Sequence, residues 1–167
     1  MEINNTIFED NELTNYINNH INDPYEETHF RGYKKISAVH KGVFGEMYVT
    51  KYCLSLGMTV DNRSMGSTGH DRIINNIKTE IKFSLSNMVN HVSIGKDWDR
   101  LLICIINPIQ NIQNIKWIEK DVFIEIKDTY FNHQQGGVGV RNDDYMCTAN
   151  RLTNLLNSDI MHSMDEW

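Results

Sequence analysis

Eight residues separate Asp71 from the run Glu80-Ile81-Lys82. Two carboxylates and an ammonium in one short stretch suit phosphoryl chemistry, provided the chain brings them together. Neighbouring carboxylates repel unless a cation lies between them. Hard oxygen donors without sulfur select Mg2+ or Mn2+, and the backbone carbonyl of Ile81 supplies one more oxygen. An ion held by Asp71, Glu80 and Ile81 polarises a phosphoryl oxygen and lowers the pKa of a bound water. Lys82 beside it is placed to orient or help deprotonate the attacking water, or to stabilise charge on a pentavalent phosphate. Such a set suits hydrolysis of a phosphodiester. The same residues also fit a plainer arrangement, a solvated hairpin face with a Glu80–Lys82 ion pair.

The elements around these residues determine whether they meet. Residues 70–74 and 77–83 read as two strands joined by Asn75-Asn76, a turn-forming pair. In the second strand Ile77, Thr79, Ile81 and Phe83 share one face, and Lys78, Glu80 and Lys82 share the other. Glu80 and Lys82 then lie about 7 Å apart along the strand, and the hairpin brings Asp71 alongside. Upstream, residues 37–56 carry Tyr48, Val49, Tyr52, Cys53 and Leu56 at helical steps, with Gly57 as a C-terminal cap. Met58-Thr59-Val60 begins a short extended piece, and residues 61–69 read as a loop.

Downstream, the polar residues 84–96 are expected to form a loop or a short helix. Residues 100–106 are apolar after Arg100 and end at Asn107-Pro108, the pattern of a strand buried on both faces. Residues 115–118 read as a further strand. Residues 120–126 read as helix or strand, residues 134–139 as a glycine-rich loop, and residues 151–161 as an amphipathic helix. Leu13, Tyr16, Ile17 and Ile21 hint at a short N-terminal helix, with Asp23-Pro24 as its stop. The order of elements predicts one mixed-sheet α/β (α+β) domain.

The 167 residues suffice for one core. There is no apolar run of the ~20 residues a membrane span requires, and the N-terminus lacks the basic and apolar regions of a signal peptide. Cys53, Cys104 and Cys147 are odd in number and widely spaced, so a reducing cytoplasm is the expected setting. The net charge of −6 is unevenly distributed. Residues 1–30 hold seven acids and no Lys or Arg, which leaves +1 on the rest of the chain. The acidity therefore sits in an N-terminal helix or arm and weighs little against an anionic partner for the remainder. Arg31, Lys34, Lys35 and Lys41 follow with no acid between them.

The runs Gly69-His70-Asp71-Arg72-Ile73-Ile74 and Thr79-Glu80-Ile81-Lys82-Phe83-Ser84 resemble the motif of the PD-(D/E)xK nuclease superfamily. Lys41-Gly42-Val43-Phe44-Gly45-Glu46 is similar to its first helix. Lys96-Asp97-Trp98-Asp99-Arg100, with the apolar strand after it, and Trp117-Ile118-Glu119-Lys120 resemble the elements that follow in small type II restriction endonucleases. The resemblance spans residues 37–126 as a catalytic core and extends more loosely to 155. It implies a restriction-endonuclease-like mixed sheet flanked by helices, in a single nuclease domain over 1–167. It also implies Asp71 and Glu80 as metal ligands, Lys82 acting on water, and Glu46 assisting through water or a second metal. His70 replaces the proline usual before the aspartate and is a candidate for a phosphate contact, as is Lys41.

Such an enzyme must hold double-stranded DNA. Asn and Gln pair bidentately with adenine, and Arg or Lys with guanine. Candidate readers are Asn87, Asn90, His91 and Lys96 in one segment, and Gln134, Gln135 and Arg141 in another. About 20 Asn across the chain make an Asn cluster equally a matter of composition. One active site per chain implies a homodimer for cutting both strands, with a monomeric nickase as the exception. The expected activity is Mg2+-dependent, sequence-specific cleavage, with Mn2+ as a substitute ion. The alternatives are a structure-specific enzyme such as a Holliday-junction resolvase, and a non-catalytic DNA-binding protein on the same fold.

Overall fold

Ser37 and Gly57 delimit the first long element. The Ser37 hydroxyl accepts the His40 amide (3.3 Å), capping helix α1 (Ala38–Ser55). Gly57 takes φ +80°, and the Gly57 and Met58 amides return to the Leu54 and Cys53 carbonyls, which closes the last turn. Gly45, Val49 and Cys53 form its buried stripe. Leu56, expected on that face, is exposed because the helix has already ended.

The computed structural model describes residues 23–61, 69–137 and 139–167. The chain divides into two units, residues 1–36 and 37–167. In the first, the Asp23 carboxylate accepts the amides of Tyr25 and Gly32, and a single 3-10 turn (Tyr33–Lys35) follows. The expected N-terminal helix, with Leu13 to Ile21, lies outside the described residues.

The second unit carries β1 (Val60–Asp61), β2 (Arg72–Ile74), β3 (Ile77–Ser84), β4 (Met88–Ser93), β5 (Arg100–Asn107) and β6 (Ile112–Glu119). Helix α2 (Lys120–Tyr130), β7 (Asn132–His133), β8 (Asp144–Thr148), α3 (Ala149–Leu156) and β9 (His162–Ser163) complete it. Among the described residues the strands form a six-stranded mixed sheet, β1-β2-β3-β5-β6-β9, and a three-stranded sheet, β4-β8-β7. Among the described strand pairs only β3–β5 is parallel. The protein is thus mixed α/β, with three helices in the described part. None of these helices is long and apolar enough to cross a membrane.

β2 and β3 form the expected hairpin. Asn75 and Asn76 have φ of +47° and +68°, as a two-residue turn joining twisted antiparallel strands requires. β5 lies between β3 and β6, and Leu101, Leu102, Ile103 and Cys104 are all fully buried on its two faces. Each buried aliphatic side chain there contributes about 1.5–3 kcal/mol. Leu101 and Ile103 join a core with Val89, Val92, Trp98, Phe123 and Leu152. Burial pushes the Cys104 thiol up to about 12 and that of Cys53, on α1, up to about 11.

Residues 84–96 correct the sequence reading, because they contain β4 and not a helix or a plain loop. The ladder with β8 is irregular between Val89 and Val92, and His91 takes φ +55° there. This bulge places Val89 and Val92 both inside at a spacing of three, which masks the two-residue period of a strand. Its partner β8 was likewise not anticipated. The C-terminal helix, expected over 151–161, instead covers Ala149–Leu156.

Candidate active site

The hairpin places Asp71 one step beyond the paired residues Arg72 and Thr79, opposite Glu80. The Asp71 amide donates to the Thr79 carbonyl (3.0 Å), and Asp71 Oδ2 accepts the Ile81 amide (2.7 Å). The carboxylate therefore lies over β3 between its two candidate partners.

Glu80 is 0% exposed and the Lys82 side chain only 16%. These two residues therefore do not form a solvated hairpin face. Lys82 Nζ donates to Glu80 Oε1 at 2.7 Å. A second ammonium, that of Lys96, reaches the same oxygen at 2.7 Å. Glu80 Oε2 is buried with no hydrogen-bond partner. A buried acceptor left unpaired costs about 1–3 kcal/mol, and more when it carries charge.

Helix α1 brings in a third carboxylate. A Cβ on Gly45 would lie 2.3 Å from Phe83 Cβ, so only glycine lets the helix approach β3 this closely. The rings of Phe44 and Tyr48 flank Phe83, with centroids at 5.7 and 5.4 Å. Glu46, next to Gly45, accepts Arg72 Nη1 at 2.6 Å, and the same nitrogen donates to the Asp71 carbonyl at 2.7 Å. Burial first, and the Asp71 charge next, hold the Glu46 carboxyl above its ordinary value. Burial first, then Glu80, do the same to Asp71 against the opposing pull of Lys82. The electrostatics are those of carboxylates desolvated and set close together.

The segment before β5 aims Lys96 at this cluster. The Lys96 carbonyl accepts Lys120 Nζ (2.6 Å), and the Asp97 carbonyl accepts His70 Nδ1 (2.9 Å). Lys78 Nζ bonds Asp97 Oδ2 (2.7 Å), and the Asp99 amide donates to the Lys78 carbonyl (2.8 Å). The start of β3 and the start of α2 thus anchor the loop from both sides.

Among the described residues no three His, Cys, Asp or Glu side chains form a ligand group on their own. Asp71, Glu80 and the Ile81 carbonyl fit a divalent ion as a mixed set, since Glu80 Oε2 is a desolvated oxygen with nothing bound to it. His70 is buried, with its Nδ1 at the Asp97 carbonyl and its Nε2 without a hydrogen-bond partner. Lys41 lies half-buried on α1.

Three of the other candidates meet at a second place. Asp144, buried on β8, accepts His91 Nδ1 (3.1 Å) and the Arg141 amide (3.0 Å). The His91 amide donates to Gln134 Oε1 (2.9 Å) and the Gln134 amide to the Asp144 carbonyl (2.8 Å), so His91, Gln134 and Arg141 meet at Asp144. Asn90 Oδ1 is buried without a partner, whereas Asn87 and Gln135 are exposed. Sequence reasoning missed Arg72, Asp144 and the attachment of Lys96 to Glu80. Arg72 was findable as the neighbour of Asp71 on the hairpin. The other two contacts join elements distant in sequence and carried no local signal.

No protein-family model matches the chain, and no characterised protein matches its sequence.

Proposed function

We propose that this chain is a Mg2+-dependent endonuclease of double-stranded DNA, of the type II restriction kind, built on a PD-(D/E)xK fold. The observation that carries this reading is the state of Glu80. A fully buried carboxylate has two ammonium groups on one oxygen, nothing on the other, and Asp71 beside it. A structural ion pair does not need the second, unsatisfied oxygen or the neighbouring carboxylate. A site for a hard cation does.

In this reading Asp71, Glu80 and the Ile81 carbonyl hold Mg2+ or Mn2+, which polarises a phosphoryl oxygen and acidifies a bound water. Asp71 is kept in position by the Ile81 amide, which donates to its Oδ2. Lys82 Nζ, held at Glu80 Oε1, has N–H groups left to orient the attacking water or to neutralise charge growing on the phosphate. Glu46, tied to Arg72, adds negative charge that favours a cation at this edge. The cluster of His91, Gln134 and Arg141 has the residue types of a base-reading surface. Two copies of the chain cut the two strands.

Incubation with plasmid DNA tests the reading. With Mg2+ the wild-type chain is expected to give discrete bands, and none in EDTA. Asp71→Asn and Lys82→Ala are expected to lower cleavage by about 10²–10⁴-fold while circular dichroism stays native. Wild-type cutting by Lys82→Ala would overturn the mechanism. Cleavage of branched DNA alone would move the assignment to a structure-specific enzyme, and binding that is indifferent to EDTA without cutting would move it to a non-catalytic one.

A further inference from the structure

Glu80 Oε1 accepts two ammonium groups, each at 2.7 Å, and hydrolysis as described above employs only one of them. Lys82 is two residues along the same strand, and the hydrolysis described above uses its ammonium there. Lys96 belongs to the loop between β4 and β5. The loop backbone is anchored by Lys120 and His70, and the Lys96 side chain is the more exposed of the two lysines, 25% against 16%.

The charges show what the second lysine does. Without an ion, Asp71, Glu80 and Glu46 face Lys82, Lys96 and Arg72, which makes the cluster neutral. A divalent cation at Asp71 and Glu80 raises that sum to +2, and two positive charges then compete for one buried carboxylate. In a desolvated site such repulsion is weakly screened. The cheapest relief is for the more exposed ammonium, which returns to water most readily, to withdraw.

We propose that Lys96 is a positioning residue that occupies Glu80 in place of the metal and is displaced when a divalent ion binds. This rests on reading Asp71 and Glu80 as metal ligands. The carboxylate pair is kept neutralised and in place before the ion arrives. Each event opposes the other by the same free energy, so Lys96 weakens ion binding as much as the ion weakens the Lys96–Glu80 pair.

The test is calorimetric titration of the full chain with Mn2+ alone, without DNA. Lys96→Met is expected to bind Mn2+ about tenfold more tightly than wild type, within the usual span of such couplings. Lys96→Arg keeps the charge and is expected to stay near wild type. Asp71→Asn is expected to bind more weakly. A lysine that merely braced Glu80 would give the opposite sign, since its loss would loosen the ligand and weaken the ion. Unchanged or weaker binding by Lys96→Met, with wild type binding and Asp71→Asn impaired, overturns the inference and leaves the nuclease reading intact. Absence of Mn2+ binding by the wild type overturns the metal site and the inference together. If Lys96→Met does not fold, Lys96→Gln carries the same expectation.

Discussion

Asp71 shows how a buried carboxylate works against the stability of the fold that holds it. Burial and the Glu80 charge raise its pKa, so the folded chain binds this proton more tightly than the unfolded chain does. Glu46 is raised in the same direction. The sign follows from linkage. As pH rises from about 4, the ordinary carboxylate range, through the raised values, the unfolded state releases its protons first and the metal-free protein loses stability. Asp71→Asn removes one ionisable member of the pair, and its carbonyl can still accept the Ile81 amide. In EDTA the melting temperature of this variant is expected to exceed that of wild type at neutral pH. The two should converge toward pH 4. A constant gap across that range would mean that the Asp71 charge carries no such penalty. The variant predicted to be inactive is thus also predicted to be more stable, as expected if buried neighbouring carboxylates are kept for a proposed cation.

At the scale of elements, the approach of α1 to β3 is set by one glycine. Gly→Ala in a helix interior ordinarily stabilises by up to about 1 kcal/mol. At Gly45 the added methyl would lie 2.3 Å from Phe83 Cβ and 2.8 Å from Cγ. Gly45→Ala is therefore expected to destabilise, by about 1–3 kcal/mol as for other overpacked cores, and to push Glu46 away from the hairpin. Urea denaturation measures the first effect, and an unchanged or raised midpoint would contradict the packing described. The hairpin itself was legible in the sequence, because alternation along 77–83 and a turn pair that tolerates positive φ agree on one structure. β4 was not, because its bulge at Asn90 and His91 breaks the alternation by which a strand is read.

On the scale of the whole molecule, the acidic total conceals an acidic terminal segment and a remainder near neutrality. Affinity for a polyanion is then governed by where the charges lie more than by their sum. The proposed homodimer makes a prediction at this scale. Co-expressed wild-type and Asp71→Asn chains should form mixed dimers with one competent site, which convert supercoiled plasmid to nicked circles before linear product appears. Linear product alone from the mixed dimers would contradict one site per strand.

The sequence by itself determined the helix with its C-terminal cap, the hairpin, the strand buried on both faces, and the placing of Asp71 beside Glu80 and Lys82. These follow from periods of two and 3.6, turn chemistry and chain connectivity, all of which act over a few residues. Only the tertiary structure decided that Glu80 is buried rather than solvated, that Lys96 shares its oxygen with Lys82, and that His70 faces inward to Asp97. It likewise joined His91, Gln134 and Arg141 around Asp144. Burial and such meetings depend on which elements cover a strand and where distant loops return, and no local pattern in the chain encodes them.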